Sequence, residues 1–188
     1  MALTKGHEIP TIDVALVTIK TANSDTELAL DTASKIAVNV ETETTDAVKL
    51  IIKGVLKAQK PKETTITGNT IVLTDNVFNP EIAKVLQGGT ITYKEGDSGE
   101  VVSYIPPVAG SSEKGEVFTL CAYSAIYSAG GLITGYEKVE YPNCQGTPFG
   151  VSSEDGVFRV SEYTINSAPN IGEAPYKIEY VSELPVVA

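Results

Sequence analysis

The sequence has very few of the residues that build metal and redox sites. Its 188 residues include one histidine, two cysteines, one methionine and no tryptophan. A metal site with nitrogen or sulfur ligands needs several such side chains close together. The single histidine, His7, stands beside Glu8 near the start of the chain, and we interpret it as a solvated side chain. A Ser-His-Asp triad is disfavoured for the same reason, because it would have to recruit His7.

Basic residues are also scarce, since 14 lysine and arginine residues face 24 acids and give a formal net charge of −10. Nearly all of this negative charge belongs to residues 95–188, which contain four basic residues, including the only arginine, Arg159, and 13 acids. Binding to nucleic acid through phosphate contacts requires clustered lysine and arginine. The charge balance therefore disfavours that class of partner.

Long apolar runs are missing as well. The strongest apolar run, residues 50–56, is interrupted by Lys53 and Gly54, so no membrane span is predicted. The first ten residues lack the apolar segment of a secretory signal. We therefore expect Cys121 and Cys144, which form no CxxC motif, to be free thiols rather than a disulfide.

Valine and threonine are abundant, and 16 glycines and ten prolines fall between short apolar runs. This composition is typical of a mainly β protein, and the length fits one domain, residues 1–188. Residues 1–10 are predicted to be an N-terminal arm, and residues 166–175, which are rich in proline and asparagine, a loop or arm.

Alternating apolar residues predict the strands. Residues 13–20 and 35–43 both alternate, as a half-buried strand does. Residues 64–75 predict two strand segments separated by a Gly68-Asn69 turn. In the second half, residues 95–99 predict a hairpin loop and Gly130-Gly131 a turn. Further strands are predicted at residues 90–93, 101–105, 117–128, 132–141, 147–151, 156–165 and 176–181.

Residues 46–60 are ambiguous. Lys49, Lys53 and Lys57 recur every four residues, which would place them on one helical face. Gly54 in the middle of the run costs about 1 kcal/mol in a helix, and several neighbours are β-branched, which lowers helix propensity further. We favour one long strand with a bend at Gly54.

One helix is predicted, at about residues 80–87. Asn79 suits the N-cap, Pro80 the first helical position and Glu81 the positive end of the helix. An apolar stripe follows at spacings of three and four residues. Gly88 and Gly89 predict a left-handed C-terminal cap.

No pattern indicates catalysis. Glu41 and Glu43 share a predicted strand face, as a pair of calcium ligands would, but no D-x-D-x-D-G loop follows them. Glu154 and Asp155 precede a glycine and predict a β-turn. The Gly88-Gly89 doublet follows a helix rather than preceding one, so it does not form a phosphate cradle. The sequence predicts no enzyme, no metal and no cofactor.

Several segments carry a family resemblance. The sequence TGNTIVLTDNVFNPE at residues 67–81, followed by LQGG at 86–89, resembles the tail tube (major tail) proteins of tailed phages that infect Gram-positive bacteria, and related prophage tail-like particles. Other segments are similar to that family. They are AVKLIIKG at residues 47–54, a predicted NCQG turn at 143–146, SEDGVF at 153–158 and YTINS at 163–167.

The resemblance, over roughly residues 10–181, implies a structural virion protein with a mainly β fold of the β-sandwich or barrel type and one short helix. Subunits of that family close into hexameric rings by pairing strands, and the rings stack into a tube around a tape-measure protein. The tube later conducts DNA into the host without binding it specifically. The implied partners are further copies of the chain, the tape-measure protein, the tail terminator and the baseplate or distal tail proteins. The implied place is the virion tail, assembled in the bacterial cytoplasm.

Within this hypothesis an acidic channel wall suits DNA passage, because like charges keep the genome from adhering. Glu137, Glu140 and Glu162 are the candidate lumen-facing acids; the alternative is that they only keep the outer surface soluble. Candidate stacking arms are the terminus before Thr11, residues 21–34 and residues 166–175, which are otherwise ordinary surface loops. The alternative function is a monomeric β-sandwich binding module for a cell surface or a carbohydrate.

Overall fold

The structure is a computed structural model that describes residues 6–22, 27–96 and 99–187. These residues form a mainly β fold with one short helix, as predicted. The strands are β1 (Thr11–Thr21), β2 (Glu27–Leu30), β3 (Ala33–Thr45), β4 (Val48–Ile52), β5 (Val55–Lys60), β6 (Glu63–Asp75), β7 (Thr90–Tyr93), β8 (Val101–Ile105), β9 (Phe118–Tyr127), β10 (Ile133–Gly146), β11 (Ser161–Ser167) and β12 (Lys177–Val181), and the helix is α1 (Pro80–Gln87).

Eight strands form one antiparallel sheet in the order β2-β1-β9-β10-β11-β6-β3, with β12 also paired to β10. The long strand β10 connects its two halves: residues up to Cys144 pair with β9, and Cys144–Gly146 pair with β11. Two hairpins, β4-β5 and β7-β8, stand outside this sheet.

Both halves of the sheet and the helix contribute to one hydrophobic core. In β6, from Asn69 to Asp75, and in β11 every second residue is buried, as strand alternation requires, whereas the middle of β1 and of β9 is buried on both faces. Fully burying one valine, leucine or isoleucine side chain stabilises the fold by about 1.5–3 kcal/mol. The most deeply buried members are Val17, Ile19, Ile71, Leu73, Ile82, Leu86, Leu120, Cys144, Tyr163 and Ile165.

The predicted helix is confirmed at residues 80–87. The Asn79 side-chain oxygen accepts hydrogen bonds from the backbone N–H groups of Glu81 at 2.9 Å and Ile82 at 3.2 Å, which is N-cap geometry. The C-terminal cap differs from the prediction, because Gly88 has φ 86° but ψ −163°. Its positive φ requires glycine, yet the residue is extended rather than left-handed helical, so the chain leaves the helix directly toward β7.

The region of residues 46–60 is neither helical nor one bent strand, so that prediction was wrong. β4 and β5 pair antiparallel, with Ile52 opposite Val55. Lys53 and Gly54 form the turn, with φ values of 50° and 78°. Positive φ at both central residues is typical of the type I′ turn, which matches the twist of paired strands.

The predicted turn at Gly68 and Asn69 was also wrong, since both residues lie inside β6. A Cβ atom on Gly68 would lie 2.6 Å from the Ser167 carbonyl oxygen of β11. The register with β3 shifts between Glu41 and Thr42, next to Gly68. Glycine here permits a close backbone approach at a β-bulge instead of reversing the chain.

The predicted turn at residues 143–146 belongs to β10. Asn143 has φ 48°, and the register with β9 shifts between Tyr141 and Cys144, so this position is a bulge. A Cβ atom on Gly146 would lie 2.5 Å from the Leu86 carbonyl oxygen. The glycine therefore lets the C-terminal end of the helix pack on the strand.

Several other predicted element boundaries differ from the observed ones. Residues 147–151, predicted to be a strand, are irregular, and the strand predicted at 156–165 begins at Ser161. The 166–175 loop begins only after Ser167, and the 21–34 segment contains β2, which pairs with β1. The predicted 95–99 loop connects β7 and β8, as expected. Parts of three predicted segments lie outside the described residues: 1–5 of the N-terminal arm, 23–26 of the 21–34 segment and 97–98 of the 95–99 loop.

Candidate assembly surfaces

One hairpin outside the main sheet is exposed along both of its strands. We call residues 46–62, which contain β4 and β5, the arm. It continues the β3-β6 pair beyond the position where Thr45 lies opposite Glu63. Every residue of β4 and β5 is exposed. An isolated two-stranded hairpin is marginally stable at best in water, so this element lacks the packing that other strands have.

One face of the arm is apolar except for Lys60, which lies opposite Val48. Side chains of directly paired residues lie on the same face of an antiparallel pair. The pairs Leu50–Ala58 and Ile52–Val55 therefore share a face with Val48. Of these five residues, the four larger side chains are between 48% and 66% exposed. A row of exposed aliphatic side chains of this kind marks an interaction surface.

The arm also carries an excess of positive charge. Its five lysines face one acid, Asp46, so its net charge is +4, whereas the other nine basic residues of the chain face 23 acids. Lys60 pairs with Glu63 at 3.3 Å. Among the described residues, Lys49, Lys53 and Lys57 have no ion pair. The arm therefore combines an apolar face with free cations.

An apolar cleft lies near the helix. Its volume is about 420 Å³, and its lining includes Phe78, Val102, Tyr104, Phe149 and Arg159. Val102 is 63% exposed, as is Val151, another of its lining residues. We call this feature the aromatic cleft.

The wall of the aromatic cleft is held by Gln87 and Arg159. The Gln87 side-chain nitrogen donates to the Tyr104 hydroxyl at 2.9 Å, and its oxygen accepts from the Phe149 backbone N–H at 3.2 Å. The Arg159 guanidinium carbon lies 4.3 Å from the centre of the Phe78 ring, which is a cation–π contact. One helix residue thus joins β8 to the irregular 147–160 segment, and the cleft has a defined shape before any partner binds.

The irregular segment adds exposed apolar surface beside the cleft. Phe158 is 93% exposed and Val157 is 61% exposed. Large exposed aromatic side chains are enriched at interfaces between proteins. Sequence reasoning assigned these residues to a strand and therefore missed this surface, although an apolar Val-Phe pair directly after the Glu154-Asp155-Gly156 turn was visible.

Three strands of the main sheet leave a backbone edge open. In the described part of the chain, β2 pairs only with β1, β3 only with β6, and β12 only with β10. An unpaired edge presents a row of N–H and C=O groups that can pair with another strand. The sheet therefore has edges available for strand addition.

The three candidate lumen-facing acids do not form one row. Glu137 and Glu140 are three positions apart on a regular part of β10, so they point to opposite faces of the sheet. Glu162 lies on β11 and points away from the core, because its neighbours Ser161 and Tyr163 are buried. The structure brings none of these three carboxylates together.

Glu140 belongs to a charged cluster on the outer face of β10. The Lys138 ammonium lies 2.8 Å from the Glu140 carboxylate and 3.6 Å from that of Glu179 on β12. The hydrogen bond to Glu140, opposed by partial burial, raises the pKa of Lys138 above its usual value. Glu140 is therefore largely neutralised by a neighbour, unlike Glu162, for which no ion pair is found in the described residues.

Both cysteines are buried free thiols. Burial raises the pKa of Cys121 to about 11 and that of Cys144 to about 12. Cys144 lies in the main core, while Cys121 packs with Leu16 and Tyr123 on the outer face, under Leu184. Protonated, enclosed thiols are poor nucleophiles and poor metal ligands.

The described residues contain no group of three or more His, Cys, Asp or Glu side chains that could hold a metal ion. In the same part of the chain, no helix has both the length and the apolar character needed to cross a bilayer. The features described above that could bind a partner are the arm, the aromatic cleft and the open sheet edges.

No protein-family model matches the chain, and no curated protein sequence matches it. Among solved structures, a chain in the "Cryo-EM structure of the anti-feeding prophage (AFP) baseplate, 6-fold symmetrised" is similar to it, with 8% sequence identity and a TM-score of 0.35 over 95% of this chain and 93% of that chain. A TM-score this low supports no conclusion about function.

Proposed function

We propose that this protein is a self-assembling structural subunit, a tail tube protein of a phage or of a prophage tail-like particle. The observation that carries the self-assembly is the arm, a hairpin with an apolar face and free lysines that has no packing partner in the described chain. The tube assignment rests on the sequence resemblance at residues 67–89 and the other matching segments.

The arm has enough apolar surface to contribute to an interface. Val48, Leu50, Ile52 and Val55 are each about half exposed. Burying the remaining half of such a side chain contributes about 0.8–1.5 kcal/mol, so the four together contribute about 3–6 kcal/mol at one contact. Each subunit offers one arm, and every added subunit therefore buries one such surface.

The open strand edges fit ring closure. A ring of identical subunits needs a head-to-tail contact between two different surfaces of the same chain. Strands β2, β3 and β12 each offer an edge, and pairing between copies would remove the aggregation hazard of those edges. Hexameric rings, stacked into a tube around a tape-measure protein, are the form that the resemblance implies.

In this proposal the tube meets a tail terminator and baseplate or distal tail proteins at its ends, and DNA passes through its lumen. Of the candidate lumen acids, Glu162 is exposed and without an ion pair in the described residues, whereas Glu140 is bound to Lys138. Glu137 also has no ion pair in the described residues but is half-buried, so Glu162 is the candidate whose charge is both exposed and unpaired. A tube structure with a lumen lined mainly by lysines would contradict this role.

The test removes the arm without disturbing the sheet. Thr45 lies directly opposite Glu63, so an Asn-Gly pair can replace residues 46–62 as a two-residue type I′ turn. The full chain should form rings or tubes, seen by size-exclusion chromatography and negative-stain microscopy at increasing concentration. The shortened chain should form no tubes and should keep an unchanged cooperative unfolding transition.

Two results would overturn the proposal. The first is a full chain that stays monomeric at every concentration, also with the other components of its particle; that result would favour the binding-module alternative. The second is a shortened chain that forms the same tubes as the full one. Leu132→Ser, at an exposed turn residue, is the matched control and should assemble normally.

A further inference from the structure

The arm and the aromatic cleft lie at opposite ends of one strand. Strand β6 begins at Glu63, where the arm ends, and finishes at Asp75. Phe78, three residues later, lines the aromatic cleft. A strand of this length spans about 40 Å. We propose, on the basis of the self-assembly proposed above, that the arm of one subunit docks in the aromatic cleft of the next copy of this chain.

The position of the two surfaces supports a repeating contact. A head-to-tail assembly requires two different surfaces that face away from each other. The arm leaves one end of the β3-β6 pair, and the segment after Asp75 leads into the cleft at the other end. Copies joined in this way add along the direction of β6 and form an open series rather than a closed pair.

The two surfaces also match in polarity. The arm presents aliphatic side chains at its tip, including Val55 and Leu56. The cleft offers aromatic and aliphatic walls with an open volume of about 420 Å³, which is sufficient for a few such side chains. Exposed residues at both surfaces, such as Val102, would leave water on contact.

Charge favours the same partner. The arm has a net charge of +4. The lining of the cleft contains one charged residue, Arg159, and no acid, but the segments that carry the cleft, residues 76–116 and 147–160, together have eight acids and four basic residues. The opposite net charge of these surrounding segments increases the rate of encounter with the arm. Two arms repel each other, so the arrangement also disfavours arm-to-arm pairing.

Cysteine cross-linking tests the contact. Lys53→Cys places a thiol at the arm tip, and Val102→Cys, on a chain with a size tag, places one in the cleft. The two native thiols are buried and do not compete. A disulfide requires Cα atoms within about 7 Å, so a cross-link reports direct contact. The control is Ile178→Cys, an exposed position on β12.

After mild oxidation of assembled mixtures, the Lys53→Cys and Val102→Cys pair should give at least tenfold more tagged heterodimer than the Lys53→Cys and Ile178→Cys pair. Equal or weaker cross-linking to Val102→Cys, in mixtures that still form tubes, overturns the cleft as the acceptor and leaves self-assembly standing. A wild-type chain that never assembles overturns both. If Lys53→Cys itself prevents assembly, Lys57→Cys serves as the donor thiol and is judged by the same criteria.

Discussion

The sharpest prediction concerns the apolar face of the arm. Leu50 and Ile52 point to the same face and are 53% and 48% exposed. Replacing both by serine removes about 0.8–1.5 kcal/mol of available burial for each side chain, or about 1.5–3 kcal/mol for the pair. Because 1.4 kcal/mol is tenfold in an equilibrium constant, the critical concentration for assembly should rise by about 10- to 150-fold.

The fold of the single subunit should hardly change. Substitutions of exposed side chains usually alter the free energy of unfolding by less than about 0.5 kcal/mol, and neither Leu50 nor Ile52 belongs to the core. The assay is pelleting of assembled material over a range of protein concentrations, with thermal unfolding measured in parallel below the critical concentration. Leu132→Ser, at a more exposed apolar residue outside the arm, serves as the control.

The reasoning fails if the double variant assembles within threefold of the wild-type critical concentration while its unfolding temperature is unchanged. It also fails if Leu132→Ser raises the critical concentration as much as the double variant does, because assembly would then respond to surface hydrophobicity in general. A variant with a much lower unfolding temperature would show that the two side chains support the subunit itself, which would contradict their exposed position.

Three further predictions concern the subunit. Asn79→Ala removes the acceptor of two helix N–H groups and should lower the free energy of unfolding in urea by about 1 kcal/mol; no loss would contradict the capping role. Gly115→Ala places a Cβ atom 2.2 Å from the Leu86 carbonyl oxygen and should lower the free energy of unfolding by about 1–3 kcal/mol. Gly150→Ala, with open space around it, is the control and should cause no such loss. Equal effects of the two substitutions would refute the packing argument. Burial raises the pKa of Cys121 to about 11 and that of Cys144 to about 12, so the native state keeps both protons at a pH near 9, where the unfolded chain loses them. The free energy of unfolding should therefore fall as the pH rises from 9 to 11. A urea midpoint that stays constant over this range would contradict the prediction.

The helix could be predicted from the sequence because all its signals are local. Asn79, Pro80 and Glu81 define its start, and the apolar stripe needs only one turn of helix to be recognised. The same is true of strands with clear alternation, such as β1 and β9. These elements depend on neighbours within a few residues, so no knowledge of the partner strand is required.

The glycines were harder to interpret, because one residue type serves different purposes. Gly54 reverses the chain with positive φ, whereas Gly68 lies inside a strand and admits the Ser167 carbonyl of β11. That carbonyl is about a hundred positions away in the sequence. From the local sequence we therefore predicted only a bend at Gly54, where the chain reverses, and a turn at Gly68, where the strand continues through a bulge.

The surfaces depended on tertiary structure even more. Lys49, Lys53 and Lys57 are spaced four residues apart, as on one helical face, but the hairpin places Lys53 in the turn and the other two on different strands. The aromatic cleft combines Phe78, Tyr104 and Phe149 from three separate segments. The acids Glu137 and Glu140 are close in sequence but lie on opposite faces of β10. Sequence spacing alone does not determine which side chains share a surface.

The uninterrupted course of β6 has a mechanical consequence for the proposed tube. Strand β6 connects the arm of each subunit to the segment that leads into its aromatic cleft. Hydrogen bonds to β3 and β11 resist shear along this strand. A pull along the tube would therefore meet a stiff, nearly inextensible unit, and the joints between subunits would yield first. Breakage under tension should release intact folded protomers rather than unravelled chains.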